Sequence, residues 1–187
     1  MLAAVVLAAV AAVLLLLLLF LVFTYNRLVR LRNEAETGWA NIDVQLKRRF
    51  DLVPNLVQAV KGYAEHERET FDSVTAARAA AQQAAGPAQA AQADTALGGA
   101  LSRLLAVSEA YPQLRASENF LALQQELADI EDKLAAARRY YNTTVYRYNT
   151  VQQTFPTVVV TRLFRFKERE FFETDATAVP TVSFAQT

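Results

Sequence analysis

The sequence LAAVVLAAVAAVLLLLLLFLVF, residues 2–23, contains no charged or polar side chain. As a helix that rises about 1.5 Å per residue, it would extend roughly 33 Å, enough to cross a bilayer core of about 30 Å. A buried helix of a soluble protein usually keeps a polar stripe, and this stretch has none on any face. The stretch therefore predicts a membrane-spanning helix.

A cleaved signal peptide and a buried soluble helix are the two alternatives to a membrane span. A signal peptide begins with basic residues and ends at a small-x-small cleavage site. Here the start is uncharged, and residues 23–26, FTYN, offer no such site. The absence of cysteine also excludes lipoprotein processing. We therefore expect an uncleaved anchor over residues 1–24.

The flanking charges predict the orientation of the anchor. Arg27, Arg30 and Arg32 follow the apolar stretch, and only the α-amino group precedes it. The positive-inside rule then places the N-terminus outside and residues 24–187 in the cytoplasm, with the anchor in the inner membrane. Tyr25 is expected at headgroup level, where an amphipathic ring is favoured.

Composition narrows the classes of function. The 19 basic residues balance the 19 acidic ones, so we expect no nucleic-acid-binding surface. The lack of cysteine excludes thiolate catalysis and thiolate metal sites, and the single histidine, His66, excludes a multi-histidine metal site within one chain. No phosphate-binding glycine loop or nucleophile elbow is present. We expect no cofactor and no enzymatic activity.

After the anchor, apolar residues recur every three or four positions, which predicts long amphipathic helices. Pro54 indicates either a turn, with Asp51 as the N-cap of a new helix, or a kink, and Pro112 presents the same choice. A reversal is expected at Gly86-Pro87. The predicted fold is all-α: a transmembrane helix that continues into a long-helix antiparallel bundle of four-helix type. Either choice gives an even number of passes and returns Phe155 towards the membrane.

The C-terminal tail, residues 156–187, differs from the rest. Residues 157–161, TVVVT, are β-branched throughout and predict an extended segment, and residues 180–184, PTVSF, could form a second short strand. Between these segments aromatic and basic residues mix, as favoured in the lipid headgroup layer: Arg162, Phe164, Arg165, Phe166 and Lys167. The alternative is that the phenylalanines cap the open end of the bundle.

Two further stretches are candidate contact surfaces. The segment NIDVQLKRR, residues 41–49, is either a solvated helix face or an interface with a partner or a second copy of the chain. The candidate interface residues are Asp43, Lys47, Arg48, Arg49 and Asp51. In the anchor, Ala4, Ala8 and Ala12 form a ridge of small residues that would let two membrane helices approach closely.

Several motifs, in this order along the chain, resemble the LemA family: YNRLV (25–29), WANIDVQLKRR (39–49), DLVPNLV (51–57), VKGYAEHE (60–67), EAYP (109–112), YYN (140–142), YN (148–149), FP (155–156) and PTVSF (180–184). The resemblance implies an N-terminal anchor with the N-terminus outside and a cytoplasmic antiparallel helical bundle. It implies no reaction, and relatives are linked to bacterial membrane organelles and envelope proteases. The chain departs from the family at residues 163–166, LFRF, where relatives tend to have a glycine-phenylalanine pair.

Two hypotheses of function follow. In the first, the anchor (1–24), a cytoplasmic helical bundle (25–155) and a membrane-proximal tail (156–187) form a non-enzymatic structural protein. It assembles with copies of itself and organises or shapes the membrane. In the second, the chain is a monomeric adaptor that presents a helical face to an envelope protease or another membrane protein. The expected partners are the lipid bilayer, copies of the chain and, in the second case, that envelope protein.

Overall fold

The computed structural model describes residues 1–173 of the chain, and they are almost entirely helical. The helices are α1 (Leu2–Lys61), α2 (Arg68–Gln83), α3 (Gly86–Glu109), α4 (Pro112–Arg115), α5 (Glu118–Gln153) and α6 (Thr157–Leu163). No strand occurs among the described residues. The all-α prediction is therefore confirmed.

Helix α1 is one continuous helix of 60 residues that joins the apolar stretch to the amphipathic part. Pro54 lies inside it, so the interpretation of Pro54 as a turn, with Asp51 as an N-cap, is wrong. Pro54 is exposed, whereas Leu52, Val53 and Leu56 on the other side of α1 are buried. Their packing holds the helix together across the one hydrogen bond that a proline removes.

The chain reverses direction at residues 62–67, at residues 84–85 and around Pro112. Gly86, which opens α3, has a φ of +78°, a left-handed conformation that favours glycine. Ala85 and Ala84 before it have extended backbone angles. The predicted reversal at Gly86-Pro87 thus coincides with the α2–α3 turn, whereas the reversal after Lys61 has no proline and was missed.

Contacts between helices define the direction of each pass. Helices α1 and α5 are antiparallel: Gly38 lies against Tyr141, and Arg49 binds Glu131. Helix α2 runs back along the end of α1, where Arg78 Nε donates to the Phe50 carbonyl at 2.7 Å. Helices α2 and α3 also pack against each other. Successive long helices therefore alternate in direction, and α5 ends beside the part of α1 that follows the apolar stretch.

The close approach of α1 and α5 depends on one glycine. A Cβ placed on Gly38 would lie 3.2 Å from Tyr141 Cα, closer than ordinary van der Waals contact. On either side of this point, buried residues form three clusters. The anchor-proximal cluster, next to the apolar stretch, includes Leu28 and Tyr148. A middle one includes Ile42 and Tyr141, and a distal one surrounds the end of α1.

The prediction that residues 157–161 are extended is wrong, because they lie in α6. Two hydroxyls bind the end of α5: Thr161 Oγ1 donates to the Gln152 carbonyl at 3.0 Å, and Thr157 Oγ1 donates to the Thr154 carbonyl at 2.7 Å. Val160 is 1% exposed and packs in the anchor-proximal cluster. This burial outweighs the weak strand preference of β-branched residues. The second expected strand, residues 180–184, lies outside the described residues.

Candidate functional site

The first third of α1 is an exposed apolar rod. Within the described residues one helix, Leu2–Lys61, is long and apolar enough to cross a membrane, with a mean hydropathy of 3.4 in its most apolar window and none of that window buried. Residues 1–19 are all exposed, including Ala4, Ala8 and Ala12 on their predicted ridge. A soluble protein would not leave so large an apolar surface uncovered.

An aromatic cluster lies directly after the apolar stretch. The Tyr25 ring meets the Phe164 ring edge-to-face at a centroid distance of 5.0 Å and the Phe166 ring at 5.7 Å. Phe166 also packs against the anchor-proximal cluster, with Phe20 and Leu21 of the apolar stretch. Predicted membrane-interface residues from both ends of the chain are therefore in contact.

Helix α6 is amphipathic and lies beside this cluster. Its inner face carries the buried Val160 and Thr161. On its outer face Val159 and Leu163, four residues apart, are 59% and 65% exposed, and Phe155, which precedes the helix, is 80% exposed. Sequence analysis missed this apolar face because the segment was predicted to be extended, although the spacing of four was the available signal.

A segment without regular secondary structure, residues 166–173, runs back along α5 and is held by two asparagines. Asn149 Oδ1 accepts from the Arg169 N–H at 3.0 Å, and Asn149 Nδ2 donates to the Arg169 carbonyl at 2.9 Å. Likewise, Asn142 Oδ1 accepts from the Phe172 N–H at 2.9 Å, and Asn142 Nδ2 donates to the Phe172 carbonyl at 3.0 Å. We call this segment the strap. Each side-chain amide thus pairs with both the N–H and the carbonyl of one strap residue, as a neighbouring β-strand would. An aspartate could accept from the N–H but has no hydrogen to donate to the carbonyl.

The spacing of the asparagines matches the strap. Asn142 and Asn149 are seven residues apart, which on a helix is about 10.5 Å. Arg169 and Phe172 are three residues apart, which a nearly extended chain spans in about 10 Å. Tyr141 adds a third contact, since its hydroxyl donates to the Glu170 carbonyl at 2.8 Å. The YYN and YN motifs thus include residues that position the strap.

Burial raises the pKa of the Tyr141 phenol above its ordinary value of 10.0, and the charge of Arg169 opposes this shift. Burial also raises the pKa of Tyr148, again against the charge of Arg169. Both hydroxyls are therefore neutral at physiological pH, as the Tyr141 hydroxyl must be to donate to the strap.

The other predicted membrane-interface residues are exposed at the same end of the molecule: Arg27, Arg30, Arg32, Arg162, Arg165 and Lys167. Three of them, Arg32, Arg165 and Lys167, line one cavity together with Tyr25. Arg165 has a φ of 55°, in the left-handed region. Arg165 lies within residues 163–166, the segment in which the sequence departs from the pattern of the family it resembles.

Arg49 does not lie on a free surface as an interface residue would, and this prediction is corrected. Arg49 is 5% exposed, and its guanidinium donates to Asp94 Oδ1 at 2.8 Å and to Glu131 Oε1 at 2.6 Å. Arg138 donates to the other Asp94 oxygen and lies over the Phe172 ring, 5.1 Å from its centroid. We call Arg49, Asp94, Glu131 and Arg138 the charge cluster. It joins α1, α3 and α5 within one chain.

The remaining predicted interface residues, Asp43, Lys47, Arg48 and Asp51, are exposed on α1. Val44 lies among them and is 48% exposed. Arg48 and Asp51 also line a groove of about 320 Å³ between α1 and α5. His66 is exposed, and no group of three or more metal-ligating side chains occurs among residues 1–173.

Comparison with known sequences identifies the family. The sequence model of the LemA family matches residues 38–184, most of the chain beyond the apolar stretch. The chain belongs to the LemA family. The resemblance of its motifs to this family is thereby confirmed.

The LemA-family relatives include magnetosome proteins. MamQ of Magnetospirillum gryphiswaldense is 27% identical over 178 residues, covering 81% of this chain and 65% of MamQ. MamQ 2 of Paramagnetospirillum magneticum is 26% identical over 179 residues, covering 82% of this chain and 66% of the relative. The protein LemA of Metamycoplasma hominis is 28% identical over 134 residues, covering 70% of this chain and 60% of that protein. The chain therefore spans about two thirds or less of the length of these relatives.

Proposed function

We propose that the chain is a non-enzymatic structural protein of the LemA type, anchored by residues 1–24 with its N-terminus outside the inner membrane. The helical part (25–155) lies in the cytoplasm. Of the predicted membrane-proximal tail (156–187), residues 156–167 lie against the membrane, whereas the strap leads away from it along α5. The unbroken helix α1 carries this proposal: its first third is exposed and apolar, and its remainder is the central helix of the folded part. The names of the relatives, magnetosome protein and LemA, support a membrane-associated role.

The outer face of α6 supports the membrane-proximal position of the tail. Val159 and Leu163 of α6 are exposed, as is Phe155 just before it, and the inner face of α6 packs towards Phe20 and Leu21 of the apolar stretch. The apolar surface of the anchor therefore continues onto α6. Acyl chains would cover both surfaces at once, since side chains of this kind enter the headgroup and acyl boundary.

Single-cysteine labelling tests this position, because the chain has no native cysteine. An environment-sensitive fluorophore on Val159→Cys should be quenched by spin-labelled lipids in vesicles that contain the full chain. The control is Leu121→Cys, which is 51% exposed near the start of α5, at the opposite end of the folded part. Equal quenching at the two positions would refute the membrane-proximal tail.

We further propose that copies of the chain assemble through α1. Asp43 and Asp51 carry charge opposite to that of Lys47 and Arg48 on one exposed surface around Val44, which suits a symmetric contact between two copies. The ridge of Ala4, Ala8 and Ala12 could extend that contact into the membrane. Since anchor and folded part are one helix, assembly of one would order the other and could thereby shape the membrane.

The native mass of the detergent-extracted chain tests assembly. A defined multimer that dissociates in the variant Lys47→Glu/Arg48→Glu would support it. The control is Lys61→Glu, an exposed charge reversal on the same helix about 20 Å from Arg48 at 1.5 Å per residue. A monomeric wild-type chain would reject self-assembly and leave the adaptor as the function. The groove at Arg48 and Asp51 favours that second candidate, because it offers a partner both charges beside apolar surface.

A further inference from the structure

A cavity at the anchor-proximal end is explained neither by the fold nor by the proposed assembly. It has a volume of about 540 Å³, within the usual range of ligand pockets, roughly 300–1,000 Å³. Its walls come from α1, α5, Pro87 at the start of α3, the turn after α6 and the first part of the strap. Tyr25 and the buried Tyr141 and Tyr148 supply aromatic lining.

The cavity has an excess of unpaired positive charge. Arg32, Arg165 and Lys167 line it, and no carboxylate within residues 1–173 forms a salt bridge with any of the three. A fourth cation, Arg169, is already paired with Glu36. Three cations at one cavity repel one another, so they favour a bound anion.

Two carboxylates also line the cavity and limit the charge of its ligand. Glu168 accepts a hydrogen bond from Gln153 at 2.8 Å, and Glu170 follows two residues later. With Arg169 paired, the count is three free cations against these two carboxylates. The surplus of one positive charge suits an anion of low charge rather than a polyanion.

The backbone at Arg165 forms the turn that ends α6, where the Phe166 N–H donates to the Thr161 carbonyl at 3.0 Å. A non-glycine residue with a φ of 55° is uncommon, and such a conformation costs of order 1–3 kcal/mol. Nothing in the turn requires a side chain there, and glycine would relieve the strain. The turn itself accounts for this φ, and Arg165 contributes to the cavity through its charge.

The position of the cavity relative to the apolar stretch indicates where an anion could come from. Tyr25 lies two residues beyond Phe23, the last residue of that stretch, and Arg32 lies about 10 Å further along α1. The headgroup layer on each side of a bilayer is roughly 5–7 Å thick. Tyr25 would thus lie among the headgroups, and Arg32 just beneath them.

We propose that this cavity binds a phosphate group, with Arg32, Arg165 and Lys167 as its cationic ligands. A phosphodiester in an anionic lipid headgroup and a soluble phosphate share this chemistry, since guanidinium groups bind phosphate oxygens through parallel N–H donors. The lipid source rests on the proposed membrane anchoring, whereas the binding of soluble phosphate does not.

Native mass spectrometry of the full chain, delipidated in mild detergent, provides the test. The chain is titrated with phosphatidylglycerol and, separately, with phosphatidylcholine. The cavity variant is Arg32→Gln/Arg165→Gln/Lys167→Gln, and the control with the same loss of charge at the distal end is Lys61→Gln/Arg68→Gln/Arg115→Gln. Fluorescence of Trp39 during thermal unfolding verifies that each variant folds.

We expect one phosphatidylglycerol to bind wild type and control, with phosphatidylcholine binding less tightly. The cavity variant should bind phosphatidylglycerol at least about tenfold more weakly, because one lost hydrogen bond between charged partners already weakens binding about tenfold or more. In a second arm, inorganic phosphate is titrated and followed by phosphorus NMR. Phosphate binding that the cavity variant loses, without preference for phosphatidylglycerol, would assign the site to soluble phosphate.

Three results would overturn the site. One is equal phosphatidylglycerol and phosphate binding by the cavity variant and the distal control. Another is an equal loss in Arg27→Gln/Arg30→Gln, which would indicate general attraction to the headgroup layer. The third is unchanged binding in Arg165→Gly, which removes the charge while relieving the strained φ. Failure of the anchoring proposal would be seen separately, as release of the full chain from membranes at high salt.

Discussion

The substitution Asp94→Ala tests whether the charge cluster holds α1, α3 and α5 in register. Asp94 is 3% exposed and accepts from both Arg49 and Arg138. Its removal leaves Arg49, itself 5% exposed, with Glu131 as its remaining partner. The helices would then enclose the Arg49 guanidinium with one carboxylate partner instead of two.

The size of the effect follows from what remains after the substitution. Removing one partner of a buried ion pair costs about 3–5 kcal/mol, because the other charge stays buried. Glu131 still pairs with Arg49, and the half-buried Arg138 can regain water, so we expect the lower end, about 3 kcal/mol. For a folded part of about 150 residues this lowers the melting temperature by roughly 6–12 °C.

Urea unfolding of the full chain in detergent, followed by Trp39 fluorescence, measures this loss. Trp39 is the single tryptophan, and its ring centroid lies 5.9 Å from that of Tyr141 in the middle cluster. Asp129→Ala is the matched control, because Asp129 pairs with Lys133 at 2.6 Å on the exposed surface and should contribute little.

Asp94→Asn separates charge from shape. It keeps the side-chain volume and removes the negative charge, so its loss of stability should approach that of Asp94→Ala. A loss below about 1 kcal/mol in Asp94→Ala would refute the role of the cluster, since that is no more than an ordinary hydrogen bond. A neutral Asp94→Asn would show that packing, and not charge, accounts for any loss.

Three further measurements test the interior and the strap. Gly38→Ala should lower the free energy of unfolding by about 1–3 kcal/mol, because its Cβ would press on Tyr141. Gly99→Ala is the control: its Cβ would meet open space, so it should raise the free energy of unfolding by up to about 1 kcal/mol. Urea unfolding measures both values. Asn149→Ala removes both hydrogen bonds to Arg169 and should speed hydrogen exchange in residues 166–173, and unchanged exchange would contradict the strap. Since burial raises the pKa of Tyr141 and Tyr148, the folded state holds protons that the unfolded state releases above pH 10.0. Urea stability should therefore be independent of these groups below that pH and fall above it.

The helices were predictable because their signal is local, and two misses show where local signals end. A spacing of three and four residues defines α1, but the continuation through Pro54 depends on burial of Leu52, Val53 and Leu56, which is a tertiary effect. In α6, strand preference amounts to less than about 1 kcal/mol per residue. Burial of Val160 and the hydrogen bonds of Thr157 and Thr161 to the end of α5 are tertiary contacts, which a local pattern does not reveal.

The charge cluster could not be predicted from the spacing of its members. Arg49 lies in a run of basic residues that resembles a solvated helix end, and its partners are 45 and 82 residues further along the chain. Charged residues are rarely buried unless paired. Only the packing of α3 and α5 against α1 reveals that Arg49, unlike the exposed basic residues beside it, is buried and paired with carboxylates.

The role of the asparagine pair, Asn142 and Asn149, was predictable only in part. The seven-residue spacing of Asn142 and Asn149 is visible in the sequence, but their partners are backbone atoms of Arg169 and Phe172. Contacts of this kind fix the path of the strap with little dependence on the side chains at these positions. The strap can therefore vary its charges while its backbone stays in place. For the same reason, replacing Lys167 should change the ligand preference of the cavity and leave the position of its wall unchanged.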